Sequence, residues 1–106
     1  MELYANYCKE MYGRDIISDE HGFIVYKAYE DRSLYIHAIY VNEGKRQDGH
    51  AYKLEKAVID KENPSSVFCY VDLTTNNPDL SLSVILAAGY KVFNTTSESI
   101  MLKKEM

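Results

Sequence analysis

The sequence predicts an α/β (α+β) fold: a mixed, mostly antiparallel sheet with a central pair of parallel strands, flanked by helices. Short polar turns separate three successive apolar stretches, which favours antiparallel strands. A helical pattern then connects the apolar stretches at residues 34–41 and 67–73, which favours a parallel crossover. The 106 residues suffice for a single domain, 1–106, with one core.

The first half of the chain is predicted to contain one helix and three strands. Residues 2–12 favour a short helix with Leu3, Tyr7 and Met11 as its apolar stripe, because these residues recur at helical spacing, and with Tyr4 and Cys8 beside that stripe. Stretches rich in β-branched and aromatic residues predict strands at 15–18, 23–29 and 34–41.

The second half is predicted to begin with a helix at about residues 49–61. Its apolar positions would be Ala51, Leu54, Ala57 and Val58, with Glu55 on the polar face. A strand follows at 67–73, and its nearly continuous apolar run predicts burial on both faces.

The end of the chain is predicted to form a helix and a hairpin. The helix spans about residues 79–88, and its inner stripe would be Leu82, Ile85 and Leu86. Gly89 would end this helix, and strands at 90–94 and 99–103 would close the sheet.

Composition and charge exclude several function classes. A formal net charge of −4 and a pI of about 5.3 argue against general nucleic-acid binding, which needs a basic face. No apolar stretch approaches the length of a membrane helix and the N-terminus lacks a signal-peptide pattern, so we expect a cytoplasmic protein without membrane contact. Two cysteines are too few for a disulfide framework, and three scattered histidines give no metal-site spacing.

The segment between the third strand and the following helix carries the clearest chemical signal. It reads Arg46-Gln47-Asp48-Gly49-His50-Ala51. A loop that leads into a helix leaves several backbone N–H groups unpaired and gathers positive potential, which suits a bound phosphate. Gly49 has unusual backbone freedom, and the small side chain of Ala51 permits close approach.

This segment resembles the acyl-CoA signature of the GNAT superfamily, the acyl-CoA-dependent N-acyltransferases. Their motif is Gln/Arg-x-x-Gly-x-Gly/Ala after a strand with an apolar end, here Val41. The resemblance covers roughly residues 14–104 and predicts a GNAT-like fold. It implies that the loop formed by Arg46, Gln47, Asp48, Gly49, His50 and Ala51 binds the pyrophosphate of acetyl-CoA. For the side chain of His50 the alternative is that it points to solvent.

The same resemblance implies roles for five further residues. Backbone groups of Ile39 and Val41 would hydrogen-bond the pantetheine arm of the acyl-CoA like an added strand. Asn77 and Ser81 resemble positions that contact coenzyme A. His37 resembles a histidine on the path of the amine's proton, and its unperturbed pKa of about 6.5 suits a general base. Its alternative is a hydrogen-bonded strand residue without a catalytic role.

The function implied is an N-acyltransferase, specifically an N-acetyltransferase, that transfers an acetyl group from acetyl-CoA to an amine of a small molecule or protein. The alternative is a catalytically degenerate GNAT-fold module that binds coenzyme A or another protein. Two departures favour that alternative: the family's first strand is missing, and Ile85 stands where many members carry a tyrosine. The missing part would also leave apolar surface that a second subunit can cover, so a homodimer is a further hypothesis.

Overall fold

A computed structural model describes residues 2–45, 49–74 and 78–106, with the side chains of residues 78–81 left out. Nine helices and strands lie in these ranges, together with one 3₁₀ turn at Glu43–Lys45. In chain order they are α1 (Glu2–Tyr12), β1 (Asp15–Ser18), β2 (Gly22–Ala28), β3 (Ser33–Val41), α2 (His50–Glu62), β4 (Ser66–Asp72), α3 (Pro78–Ala87), β5 (Lys91–Thr95) and β6 (Ser99–Glu105).

The strands form one six-stranded sheet in the order β1-β2-β3-β4-β6-β5. Strands β3 and β4 are parallel, and every other neighbouring pair is antiparallel. The predicted fold class is therefore confirmed, and the predicted boundaries differ from the observed ones by no more than two residues. Among the described residues, no helix is long and apolar enough to cross a membrane.

The main core lies on one face of the sheet, which we call the inner face. Ile24, Tyr26 and Leu34 from the strands pack with Leu54 and Val58 of α2, and all five are buried. The helix α3 packs against the same core through partly buried apolar residues, Leu82, Ile85 and Ala88. Both crossover helices therefore cover the inner face.

The helix α1 packs on the opposite, outer face. The ring of Tyr4 meets that of Phe23 edge-on at a centroid distance of 5.9 Å, and Cys8 is buried. The predicted stripe of α1 is wrong, because Leu3, Tyr7 and Met11 are 85%, 45% and 62% exposed. The packed side of the helix is instead the one that carries Cys8.

Three other sequence expectations are also wrong. The strand β4 is not buried on both faces, because Tyr70 on its outer face is 49% exposed. Leu86 of α3 is exposed, since Ala88 takes the inner position beside Ile85. Glu55 of α2 is buried rather than on the polar face, and Lys104 of β6 compensates its charge at 3.4 Å.

Candidate functional site: a cleft between two diverging strands

Pairing between the parallel strands β3 and β4 covers only the beginning of each. The register joins residues 33–35 of β3 to residues 66–68 of β4. Beyond Tyr35 and Phe68, the register of the described residues joins no further pairs of the two strands. Because backbone N–H and C=O groups need partners, the facing edges form a slot that an extended ligand can enter as an added strand.

A β-bulge lies in β3 beside this gap. Tyr26 pairs with Ile36 and Val25 pairs with Ala38, so His37 is the extra residue of the bulge. Bulges bend a strand, increase its twist and redirect the side chain at the bulge. The bulge therefore places His37 where β3 turns away from β4.

A cleft of about 560 Å³ occupies the gap between the two strands. This volume falls within the range of roughly 300–1,000 Å³ that is usual for small-molecule sites. Two strands, two helices and two residues after α3 contribute side chains to its wall. They are Ile36, His37, Ala38, Ile39 and Val41 of β3, Ala51, Tyr52 and Glu55 of α2, Cys69 and Tyr70 of β4, Val84, Ile85 and Ala88 at α3, and Tyr90.

Residues from both faces of the sheet line the cleft. Cys69 belongs to the core of the inner face, whereas its neighbour Tyr70 alternates to the outer face, and both line the cleft. One ligand can therefore enter from the side of α2 and α3 while a second approaches from the outer face. Such an arrangement suits a reaction between two substrates.

Two polar atoms mark the cleft as a binding site. Within the described part of the chain, the His37 Nε2 atom and the Tyr90 hydroxyl are the buried side-chain atoms that lack a hydrogen-bond partner. Both residues line the cleft. Buried polar groups in folded proteins nearly always have partners, so two such atoms at one cleft indicate groups kept for a ligand.

A second depression in the molecule lacks these features. It measures about 310 Å³ and lies along β5 and β6, between Lys91, Phe93 and Lys103. Neither His37 nor Tyr90 contributes to its wall. The larger cleft is therefore the candidate functional site.

The surroundings of His37 favour its neutral form. Burial is the largest cause that lowers the pKa of His37, and the positive charges of Arg14 and Lys27 add to it. A neutral imidazole can accept a proton at Nε2, which a protonated one cannot. The alternative of a hydrogen-bonded strand residue does not apply to Nε2, which has no such bond to a described residue.

The Tyr90 hydroxyl is buried at the wall of the cleft. Burial, and then the negative charge of Glu55, raises the pKa of Tyr90 above its usual value, so the hydroxyl stays protonated. Burial and Glu55 likewise raise the pKa of the Cys69 thiol to about 12. Both groups are thus neutral at physiological pH, and the Tyr90 hydroxyl can serve as a hydrogen-bond donor.

The start of α2 has the form expected of a phosphate-binding turn. Gly49 occupies the N-cap position in the left-handed region, with φ of 77°, and no side chain in the described part of the chain caps the helix there. Its carbonyl accepts the first helical hydrogen bond from the N–H of Lys53 at 3.1 Å. The first N–H groups of a helix without a side-chain cap remain available to an anion.

The side chain of His50 faces neither solvent nor the cleft. Its Nε2 atom lies 2.8 Å from the Asp19 carboxylate, and the side chain is only 14% exposed. The backbone N–H of His21 and then the His50 imidazole hold the pKa of Asp19 below its usual range. This contact ties the start of α2 to the turn between β1 and β2, so the expectation of a solvent-facing His50 is wrong.

The structure brings four of the predicted site residues to one cleft: His37, Ile39, Val41 and Ala51. Gly49 and His50 lie at the start of α2. The predictions for Arg46, Gln47, Asp48 and Asn77 fall outside the described residues, and Ser81 is described only as part of the backbone of α3.

Sequence reasoning missed most of the cleft residues, among them Glu55 and Tyr90. The partner of Glu55 is Lys104, which is far away in the sequence. No local sequence pattern therefore predicts that Glu55 is buried. Tyr90 directly follows Gly89, just after the end of α3. A large aromatic with a hydroxyl that needs a partner was the available signal.

Comparison with known proteins gives a fold but no close relative. No protein-family model matches the chain, and no curated protein matches it. Solved structures do. PaiA N-acetyltransferase from Thermoplasma acidophilum, in complex with coenzyme A, superposes with a TM-score of 0.72 at 16% identity, covering 99% of this chain and 69% of that protein.

Two further structures support the same fold. A GNAT-family protein from Desulfovibrio desulfuricans gives a TM-score of 0.72 at 13% identity, covering 84% of this chain and 64% of that one. Ard1 from Thermoplasma volcanium gives 0.64 at 22% identity, covering 81% of this chain and 63% of that one. The chain thus spans less than two thirds of either protein. It has the fold of the GNAT superfamily.

We expect the Tyr90→Phe variant to be more stable and to bind worse. Removing a buried hydroxyl that has no partner should raise the free energy of unfolding by roughly 1 kcal/mol. Affinity for coenzyme A, the ligand of the PaiA structure, should fall about five- to tenfold, because the ligand loses a hydrogen-bond donor. Denaturant unfolding and calorimetry measure the two effects.

Tyr26→Phe provides the matched control. The Tyr26 hydroxyl is also buried but donates to a carboxylate oxygen of Glu62 at 3.4 Å, so its removal should lower stability and leave coenzyme A affinity unchanged. A Tyr90→Phe variant that loses stability and binds coenzyme A normally would show that the hydroxyl only supports packing.

Proposed function

We propose that this protein is an N-acetyltransferase that binds acetyl-CoA in the cleft between β3 and β4 and transfers the acetyl group to an amine. The observation that carries the proposal is the coincidence of the strand gap with the two unpartnered polar atoms. A gap in a sheet gives an extended carrier its binding edge. His37 and Tyr90 give the transferred group its polar contacts.

Acetyl-CoA is proposed to enter from the inner face. Its pyrophosphate would lie on the N–H groups at the start of α2, next to Gly49 and Ala51, with Arg46, Gln47, Asp48 and His50 as the other residues of the loop. The pantetheine arm would run along β3 at Ile39 and Val41. Asn77 and Ser81, at the start of α3, would border the same ligand. That a neighbour with this fold is a complex with coenzyme A supports coenzyme A as the class of ligand.

The acceptor amine is proposed to approach through the cleft from the outer face. His37 takes the proton of the amine as its nitrogen attacks the thioester carbonyl carbon, which forms the C–N bond. The tetrahedral intermediate then collapses, the C–S bond breaks, and the thiolate leaves. The lowered pKa of His37 keeps the imidazole neutral at physiological pH, as this role requires.

Tyr90 is proposed to stabilise the reacting thioester by a hydrogen bond. Its raised pKa makes it a weak proton donor, so it would stabilise negative charge while water supplies the proton to the departing thiolate. Most of the rate enhancement would come from holding amine and thioester together in a site shielded from bulk water.

A second candidate function is a binding module without turnover. Ile85 lines the cleft with an apolar side chain. In the GNAT superfamily, which the sequence resembles, many members carry at this position a tyrosine that acts as an acid. Such a module would retain the coenzyme A cleft but lack rate enhancement. A cytoplasmic location and a homodimer remain predictions that follow from the sequence.

Coenzyme A binding tests the proposal common to both candidates. We expect calorimetry to show one site per chain, and Gly49→Ala to raise the Kd about tenfold, because the substitution shifts the N–H groups that face the pyrophosphate. Gly13→Ala is the control: Gly13 also has a positive φ, of 67°, so it carries a similar backbone strain of about 1–2 kcal/mol far from α2. Equal affinity of both variants would contradict the phosphate site, and the absence of binding to the wild-type chain would contradict both candidates.

The role of His37 has two readouts. An NMR titration should place its midpoint below the ordinary value of about 6.5, because burial and the neighbouring cations oppose protonation. The neutral base therefore persists as pH falls through 6.5 and is lost only below the lowered pKa. His37→Ala should reduce kcat roughly 10²- to 10⁴-fold. Lys61→Ala, at an exposed position in the last turn of α2 that does not line the cleft, should leave kcat unchanged; equal turnover of both variants would remove His37 from the mechanism.

A further inference from the structure

Two half-buried cations lie beside the cleft without an ion pair to a described residue. The other two half-buried lysines of the described chain are both paired, Lys103 with Glu105 and Lys104 with Glu55. Arg14 and Lys27 have no such partner, although the protein carries 16 acidic and only 12 basic residues.

Both cations rest on aromatic rings instead of carboxylates. The Arg14 guanidinium carbon lies 5.0 Å from the ring centroid of Tyr12, and the Lys27 amine lies 5.1 Å from that of Tyr29. Rings hold a cation in place without neutralising it. Half-buried charges are normally paired, so two uncompensated ones indicate that an anion from outside completes the arrangement.

The sheet places these cations on the outer face, beside His37. Lys27 pairs in register with Tyr35, two residues before His37, and alternates away from the inner-face residue Tyr26. Its amine lies near Gly13, the residue after α1, because a Cβ built on Gly13 would be 3.5 Å from this amine. Arg14 immediately precedes β1, whose first residue, Asp15, pairs with Tyr26 of the neighbouring strand β2.

The outer face is also where the amine enters in the proposed function. Tyr70 lines the cleft from this side, and both cations are near enough to lower the pKa of His37. Two positive charges at this entrance repel a simple ammonium ion. They attract an amine that also carries a carboxylate, which a guanidinium can bind through two parallel hydrogen bonds.

We infer that the acceptor is an amino acid, whose carboxylate binds Arg14 and Lys27 while its amine lies at His37. This inference rests on the proposed function and adds the class of acceptor to it. The cations thereby determine the specificity for the acceptor in two ways. They bind the carboxylate of an amino acid, and they repel amines that carry no negative charge.

The test compares amino acids with their C-terminal amides, first with wild-type protein. Thiol release from acetyl-CoA should show a kcat/KM for the best amino acid at least about tenfold above that of its amide, since one charged contact is worth about 1.5–3 kcal/mol. The amine of the amide is less basic, so more of it is unprotonated at neutral pH and it would otherwise react more readily. A preference for the amino acid over its amide therefore indicates recognition of the carboxylate.

The variants Arg14→Gln and Lys27→Gln should each raise KM for the amino acid about tenfold and leave that for the amide unchanged. Arg14→Lys should restore part of the preference, because it restores the charge without the planar fork. Lys61→Gln removes one exposed positive charge at the end of α2 and is the control, with no expected effect. An unchanged Kd for coenzyme A shows that each variant is folded.

The outcomes separate this inference from the proposed function. A protein that fails to bind coenzyme A contradicts the proposed function itself. A protein that binds coenzyme A but acetylates amides as well as acids, or acetylates neither, overturns the inference about the acceptor. Equal effects of Arg14→Gln and Lys61→Gln on KM overturn it as well.

Discussion

The site depends on one constraint, the early end of pairing between β3 and β4. The two strands are in register for three residue pairs and then diverge. A continuous ladder would satisfy more backbone groups, but it would close the sheet and leave no passage from α2 to the outer face. The bulge at His37 accompanies this divergence, because a bulge bends one strand away from a partner that continues straight.

The opening between β3 and β4 lowers the stability of the unliganded protein. A hydroxyl and an imidazole nitrogen are buried without described partners, and each such group costs roughly 1–3 kcal/mol. Two cations lie half-buried on aromatic rings nearby. Ligand binding can recover these costs by supplying the missing partners. Stability and function are therefore opposed at Tyr90 and His37, as expected where a site is formed before its ligand arrives.

Most of the fold could be predicted from sequence because local patterns determine it. Alternation and turn residues identified β1, β2 and β3. The errors occurred where tertiary contacts decide. The apolar stripe of α1 faces outward because Cys8 takes the packed side, and Glu55 is buried because Lys104, 49 positions later, compensates its charge.

The candidate site was predictable only in part. Residues adjacent in sequence, such as His37, Ile39 and Val41, could be assigned to one place because a single strand carries them. Arg14 and Lys27 could not, because only the register of β1, β2 and β3 brings them beside His37. The charge of a side chain is readable from sequence, but whether it has a partner is a property of the folded chain.

The most direct test of the account is amide hydrogen exchange along β3, with and without coenzyme A. At a ligand concentration about ten times the Kd, the amides of residues 36–41 should exchange more slowly, by a factor of up to about ten. The amides of β1 should slow only as much as the general stabilisation of the protein requires. This result would place the ligand in the slot between β3 and β4. Binding without added protection in β3 would show that the diverging strands do not hold the ligand, which would contradict the account.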